Sequence, residues 1–300
     1  MKKKTYLFAL MAMVLTLGSC SDNENGIGGE TSKYITVSTS IGNMTRVATD
    51  ANGGQTFEEG DEISVYAWTG APTVAPETSE RVVNNAINKL TNGTWVSTPQ
   101  MLWKNNREKH YFIGVYPTAA ISDLSAGEYT FDVNKQTESD LLVAVNPDGL
   151  SYSADAQQTV PLTFTHVMAK LAVNLTYKNQ WGGIPTVEKV VVGNAAKEAT
   201  INYLTKVVTP STTAKEDFSL PEITENTKYV SVIIPQEDVK QLTIVIGGKN
   251  FVYDNGTPFK LESGKITTVN LEVGRDEIKL GDVKITNWED GSTFSGEALN

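Results

Sequence analysis

The sequence predicts an all-β protein: two tandem β-sandwich domains behind a lipoprotein signal and a flexible tether. Three observations carry that prediction. Apolar residues recur with period two through many short segments, turn residues punctuate them, and helical signals are scarce. Many short strands with regular turns build sandwiches, not parallel sheets covered by helices.

The elements follow in chain order. Lys2, Lys3 and Lys4 form a positive start, and Tyr6 to Leu17 form an apolar run of signal-peptide length. That run is too short to cross a hydrocarbon core of ~30 Å as a helix. Leu17-Gly18-Ser19-Cys20 closes it and resembles a bacterial lipobox, in which the cysteine is acylated and becomes the mature N-terminus. Cys20 is the single cysteine, so no intramolecular disulfide forms, and lipidation leaves no thiol for catalysis or zinc. Residues 20–33, polar and Gly-rich, read as a tether.

Residues 34–178 read as the first sandwich. "YITVSTSI" puts Ile35, Val37, Thr39 and Ile41 on one face. "DEISVYAW" puts Ile63, Val65 and Ala67 on one face and Ser64, Tyr66 and Trp68 on the other. Ser79 to Leu90 is the one helix candidate, with Val82, Val83, Ala86, Ile87 and Leu90 at helical spacing. "KHYFIGVYP", "EYTFDV" and "DLLVAV" are strands, and Asn146-Pro147-Asp148-Gly149 is an expected turn. In "VPLTFTHVMAKLAVNL" the apolar set runs Leu162, Phe164, His166, Met168, then jumps phase to Val167, Ala169, Leu171, Val173 and Leu175. A one-residue jump means a bulge or burial on both faces. His166 sits at the switch and reads as a packed histidine bonded to backbone or to hydroxyls such as Thr163 or Thr165.

"KNQWGGIP" interrupts the strands, and residues 179–300 read as the second sandwich. "VEKVVVG", "ATINYL", "KYVSVIIP", "QLTIVIGG", "NFVYD", "TTVNLEV" and "DVKITNW" are its strands. Asp254-Asn255-Gly256 signals a hairpin.

Composition excludes several functions. The net charge of −10 argues against nucleic acid and anionic membrane surfaces as partners. Two histidines, His110 and His166, with Cys20 reserved for lipid, do not furnish a transition-metal site. No nucleophile elbow, P-loop or dinucleotide fingerprint is present, so no catalytic residue, metal or cofactor is assigned and the chain does not read as an enzyme. Glu58, Glu59, Asp61 and Glu62 form the densest acidic group, read as a solvated turn with calcium as the residual alternative. Trp95, Trp103, Trp181 and Trp288 either plug sandwich ends or offer platforms for a glycan. The Asn-x-Thr triplets at Asn92, Asn174 and Asn255 carry little weight beside a bacterial lipobox.

The order of blocks resembles the fimbrillin family of Bacteroidetes, the FimA/Mfa-like pilins of type V fimbriae. The carriers are the lipobox with its acidic Ser21-Asp22-Asn23-Glu24 tether, "TR" after the first strand, "FEEGDEISVYAW", "NGTWVSTPQMLWKNNREKHYFIGVYP", "DLLVA", and "VPLTFTHVMAKLAVNL". The match is clear from Cys20 to about Leu175 and looser to "VKITNWEDG". It implies transthyretin-like sandwiches, export to the outer-membrane surface on a lipid anchor, and cleavage by a trypsin-like protease between Arg46 and Val47. That cut removes the first strand, and a donor strand from another subunit fills the groove to build the fimbria. The stalk, tip and anchor roles are all open, and "DVKITNWEDGSTFSGEALN" is a candidate donor whose last residues are more polar than a donor prefers. The alternative is a stand-alone outer-membrane lipoprotein that binds a glycan or host protein.

Overall fold

A computed structural model describes residues 33–42, 56–153, 158–254 and 256–288. The strands are β1 (Thr36–Ile41), β2 (Glu62–Thr69), β3 (Val83–Thr91), β4 (Thr94–Thr98), β5 (His110–Tyr116), β6 (Gly127–Thr130), β7 (Leu142–Leu150), β8 (Thr159–His166) and β9 (Ala169–Tyr177). They continue as β10 (Val187–Ala196), β11 (Glu198–Asn202), β12 (Val207–Pro210), β13 (Lys215–Ser219) and β14 (Glu222–Thr224). The last are β15 (Lys228–Ile233), β16 (Gln241–Ile246), β17 (Lys249–Asp254), β18 (Lys265–Val273) and β19 (Ile278–Asn287). Among the described residues the helical elements are two 3-10 turns, Thr78–Glu80 and Asn179–Trp181. The all-β class therefore stands, and every segment read as a strand holds one.

Seven strands form one sheet in the order β1-β8-β7-β5-β2-β3-β4. It curls until its ends meet. Ile35 N–H donates to Met101 O at 2.9 Å and Trp103 N–H to Lys33 O at 3.2 Å, joining the start of β1 to the segment after β4. The enclosed core holds Val37, Ile63, Val65, Phe112, Leu162 and Phe164. The outward faces of β2, β5 and β7 are buried too, with Tyr66, Trp68, Ile113 and Val143 joining a second core. This explains why "EISVYAW" carries large apolar residues at both phases.

The phase jump after His166 marks a passage between sheets. β8 pairs with β1 and β7, whereas β9 enters a five-stranded sheet of order β14-β15-β9-β18-β19. Val167 and Met168, both buried, make the link. One continuous segment thus carries the inward face of one sheet and then of another. A further sheet runs β13-β10-β16-β17, and β12-β11-β6 joins a strand of the first half to two of the second. The strand β9, placed by the sequence in residues 34–178, is hydrogen-bonded to strands of residues 179–300.

Three local expectations are corrected. Residues 79–90 are not a helix: most of the stretch is β3. Ala67 pairs with Val83 and Val65 with Ala86, so Asn84 and Asn85 of β3 together oppose the single Tyr66 of β2, and Asn85 takes a positive φ of 57°. The bulge places Val83 and Ala86 on one face, a spacing of three that imitates a helix. Residues 146–149 do not end a strand. They bulge from β7 between the pairs Phe112–Asn146 and His110–Leu150, with Gly149 N–H donating to the Asn146 side chain at 2.9 Å. Pro147 is tolerated because bulged residues leave the ladder. The segment after Asp254 does not pair back on β17. Leu261 bridges to Gln236 instead, and the tight hairpin here is Gly247-Gly248 between β16 and β17, with φ of 58° and 72°.

Candidate functional site

The candidate site is the seam closed by β1. The strand pairs in parallel with β8, from Thr36 opposite Thr159 to Ile41 opposite Phe164. The alternation read from the sequence holds: Ile35 and Val37 are 1% and 6% exposed, Thr39 and Ile41 are half-buried, and Ser38 and Ser40 face out. Val37, Thr39 and Ile41 lie opposite Val160, Leu162 and Phe164 on the inward face. Across the seam, Trp95 Nε1–H donates to Thr39 Oγ1 at 3.0 Å. Phe57 packs edge-on against Trp95, Tyr116 and Phe164 at centroid distances of 5.4, 5.3 and 5.1 Å.

Two glycines fit this seam closely. A Cβ on Gly114 would come within 2.6 Å of Phe164 Cζ, and one on Gly42 within 2.5 Å of Thr163 Cγ2. Gly42 N–H also donates to Phe164 O at 2.7 Å, extending the ladder past Ile41.

Neither histidine is placed for catalysis. Fully buried His110 accepts from Lys104 N–H at Nε2 (3.0 Å), and its Nδ1 lies 3.2 Å from Glu108 O. Burial pushes its imidazole below the ordinary value, as suits a neutral ring with one donor and one acceptor satisfied. His166 is packed, as expected, but not on Thr163 or Thr165: its Nδ1 lies 2.7 Å from Asp140 Oδ1. A carboxylate from a distant segment supplies what local strand chemistry was expected to supply.

The acidic group after Phe57 is structural. Glu59 accepts from the N–H groups of Asn92 and Gly93 at 2.9 and 2.6 Å, bracing the β3–β4 turn. Asp61 accepts from Glu58 N–H at 2.7 Å, and Glu62 pairs with Lys89 at 2.9 Å. Beside it, burial and Asp61 push the Tyr116 hydroxyl up to about 12. Among the described residues no cluster of three or more metal-ligating side chains occurs. The tryptophan platforms are taken as well. Trp95, Trp103 and Trp288 are buried, and half-buried Trp181 donates to Val273 O at 2.9 Å with Arg275 over its ring. A shallow cleft of about 740 Å³ does open beside Trp68, Ala75, Arg81, Leu102, Trp103 and Lys104, but its indoles are packed into the wall.

The family model described as fimbrillin-like matches residues 45–288. The chain belongs to the fimbrillin-like family. Among solved structures, the fimbrillin fold is similar to a candidate cell adhesion protein from Bacteroides uniformis, at 18% identity and TM-score 0.63, over 86% of this chain and 100% of that one. A candidate cell adhesion protein from Bacteroides ovatus gives 18% identity and TM-score 0.62 over 85% and 98%. A fimbrial protein from Bacteroides vulgatus gives 13% identity and TM-score 0.52 over 84% and 99%. Compared with curated protein sequences, the chain has no match.

Within this fimbrillin-like chain, the predicted site residues Cys20, Arg46 and Val47 lie outside the described residues. Arg46 follows the end of β1 by five positions in sequence. What sequence reasoning missed was the partner of β1. Parallel pairing with β8 joins residues more than a hundred positions apart, and nothing local encodes it.

Proposed function

We propose that the chain is a structural subunit of a bacterial surface fimbria, supporting adhesion and assembled by donor-strand exchange after β1 is cut away. The observation that carries this reading is the seam. β1 is an edge strand whose inward side chains complete a core, and it lies between β8 and the segment after β4. Its removal would uncover Val160, Leu162 and Phe164 and leave one side of β8 without backbone partners, a costly surface. A strand from another copy satisfies both demands at once, with alternate side chains filling the vacated places. Such a contact joins unlike surfaces and propagates as a filament.

In this proposal Cys20 carries the lipid that anchors the precursor at the outer-membrane surface, and a trypsin-like protease cuts between Arg46 and Val47. The last described strand, β19, is the favoured donor. β19 is an edge strand paired with β18, and Leu280, Val283 and Ile285 on it are 37–40% exposed. The division into sandwiches at 34–178 and 179–300 belongs to the same reading, with β9 of the first part contributing to a sheet of the second. The test is mass spectrometry of the mature N-terminus in material sheared from cells and in the membrane fraction. Sheared polymer beginning at Val47, absent in Arg46→Ala, is the expected result. Unchanged processing and assembly in Arg46→Ala sinks the cleavage assignment, and acylated Cys20 alone with nothing shed sinks the polymerising role.

A further inference from the structure

Three sequence blocks singled out for different reasons converge on one place. Asp140 comes from "DLLVA", His166 and Lys170 from "FTHVMAKL", and Trp288 from "ITNWEDG". The Trp288 indole lies flat on the His166 imidazole, with centroids 4.2 Å apart and planes 9° from parallel. Lys170 Nζ stands 4.2 Å from the indole centroid, and the Asp140 carboxylate holds His166 from its Nδ1 side. The backbone N–H of Trp288 donates to Gly264 O at 3.2 Å, in the turn before β18.

Trp288 directly follows β19 and is its best-buried anchor among the described residues. It is 6% exposed, while the apolar face of the adjoining β19 is poorly covered. Val269 and Leu271 of β18 are buried, but Val283 and Leu280 beside them on the edge strand β19 are not. β19 is held along one edge by the β18 ladder and at its end by Trp288.

The seat of Trp288 is at the end of β8, the strand that β1 covers. Gly42 N–H bonds to Phe164 O, two residues before His166. We propose that Trp288 is a clasp that couples β1 to β19: with β1 in place, the end of β8 presents His166 squarely to the indole and β19 stays docked. When β1 leaves, the end of β8 relaxes, the stack loosens and β19 is freed. Trp288, His166 and Lys170 are positioning residues in this device. The coupling stands on the geometry of the monomer; its use, releasing a donor strand only after processing, rests on the fimbrial reading above.

Linkage makes the coupling reciprocal, so disturbing either end must be felt at the other. The test is hydrogen exchange on the intact, unprocessed chain and its variants. In Trp288→Ala, amides of β19 are expected to exchange about a hundredfold faster or more, the scale of losing a buried indole. Those of β1 should accelerate about fivefold or more through the coupling. Two other edge strands, β4 and β17, should keep their protection. Trp288→Phe should restore most of the protection, and the milder Lys170→Met and His166→Gln give the same pattern in smaller degree should Trp288→Ala not fold. Loosening of β19 without β1, loosening of neither, or uniform loss across β4 and β17 overturns the clasp. No polymer is needed for this readout. A clasp that fails leaves fimbrial assembly standing, and a clasp that holds in a chain that never polymerises removes the fimbrial reading alone.

Discussion

Replacing Ile35, the residue that leads into β1, by Ala tests whether the β1 segment is an integral part of the core or rests on its surface. Ile35 is 1% exposed, inside the core that also holds Val37, Met101, Trp103 and Val160. Its backbone bond to Met101 O does not depend on the side chain. Truncation removes three carbons, about 2.4 kcal/mol at about 0.8 kcal/mol for each buried methylene. The cavity left in a closed seam raises this to about 3 kcal/mol, within the usual range for such truncations. For a chain of this size that is a fall in Tm of about 6–12 °C in a cooperative transition. The control is Ser38→Ala on the outward face, which should stay within about 0.5 kcal/mol. Thermal and urea unfolding measure the global cost, and exchange at β1 and β8 registers a cost confined to local opening. A change below about 0.5 kcal/mol with unaltered exchange, indistinguishable from Ser38→Ala, would refute the argument that β1 completes the core.

Two other variants probe the same sheet. His110 titrates below its ordinary value in the fold, so the unfolded chain binds the proton first as pH drops; stability is full above about pH 6.5 and declines as pH falls toward the folded value. His110→Gln, keeping an acceptor for Lys104 N–H, should flatten the Tm-against-pH slope below about pH 6.5, and an unchanged slope would reject this assignment. Gly114→Ala should destabilise by about 1–3 kcal/mol, because its Cβ would press on buried Phe164, itself gripped by Phe57; urea midpoints equal to the parent's would show that the Phe164 ring can yield.

Strand positions were legible because period two and turn residues act within a few positions, where chain stiffness dominates. The faces of β1 and β2 came out as read, since alternation there is unbroken. Two local misreadings share a cause: a bulge inserts residues that belong to neither phase. At Asn85 it imitated a helix, and at Asn146 to Gly149 it imitated a chain reversal. The Asn92-Gly93 turn, with φ of 51° and 71°, was available as a hairpin signal that argued against a helix before it.

By itself, then, the sequence determined the all-β class, most of the strands though not β3, β4 or β12 to β14, the inward faces of β1 and β2, and the motif order that marks a fimbrillin-like chain. Tertiary structure alone decided the rest. It paired β1 in parallel with β8, sent the two halves of "VPLTFTHVMAKLAVNL" into different sheets, and gave His166 the partners Asp140 and Trp288. The physical reason is range. Periodicity reports which face of a strand meets the core, whereas the choice of neighbour depends on burying the apolar surface of the whole chain at once. Any β edge offers the same backbone groups, so the pairings are settled by packing among distant side chains, which no local pattern records.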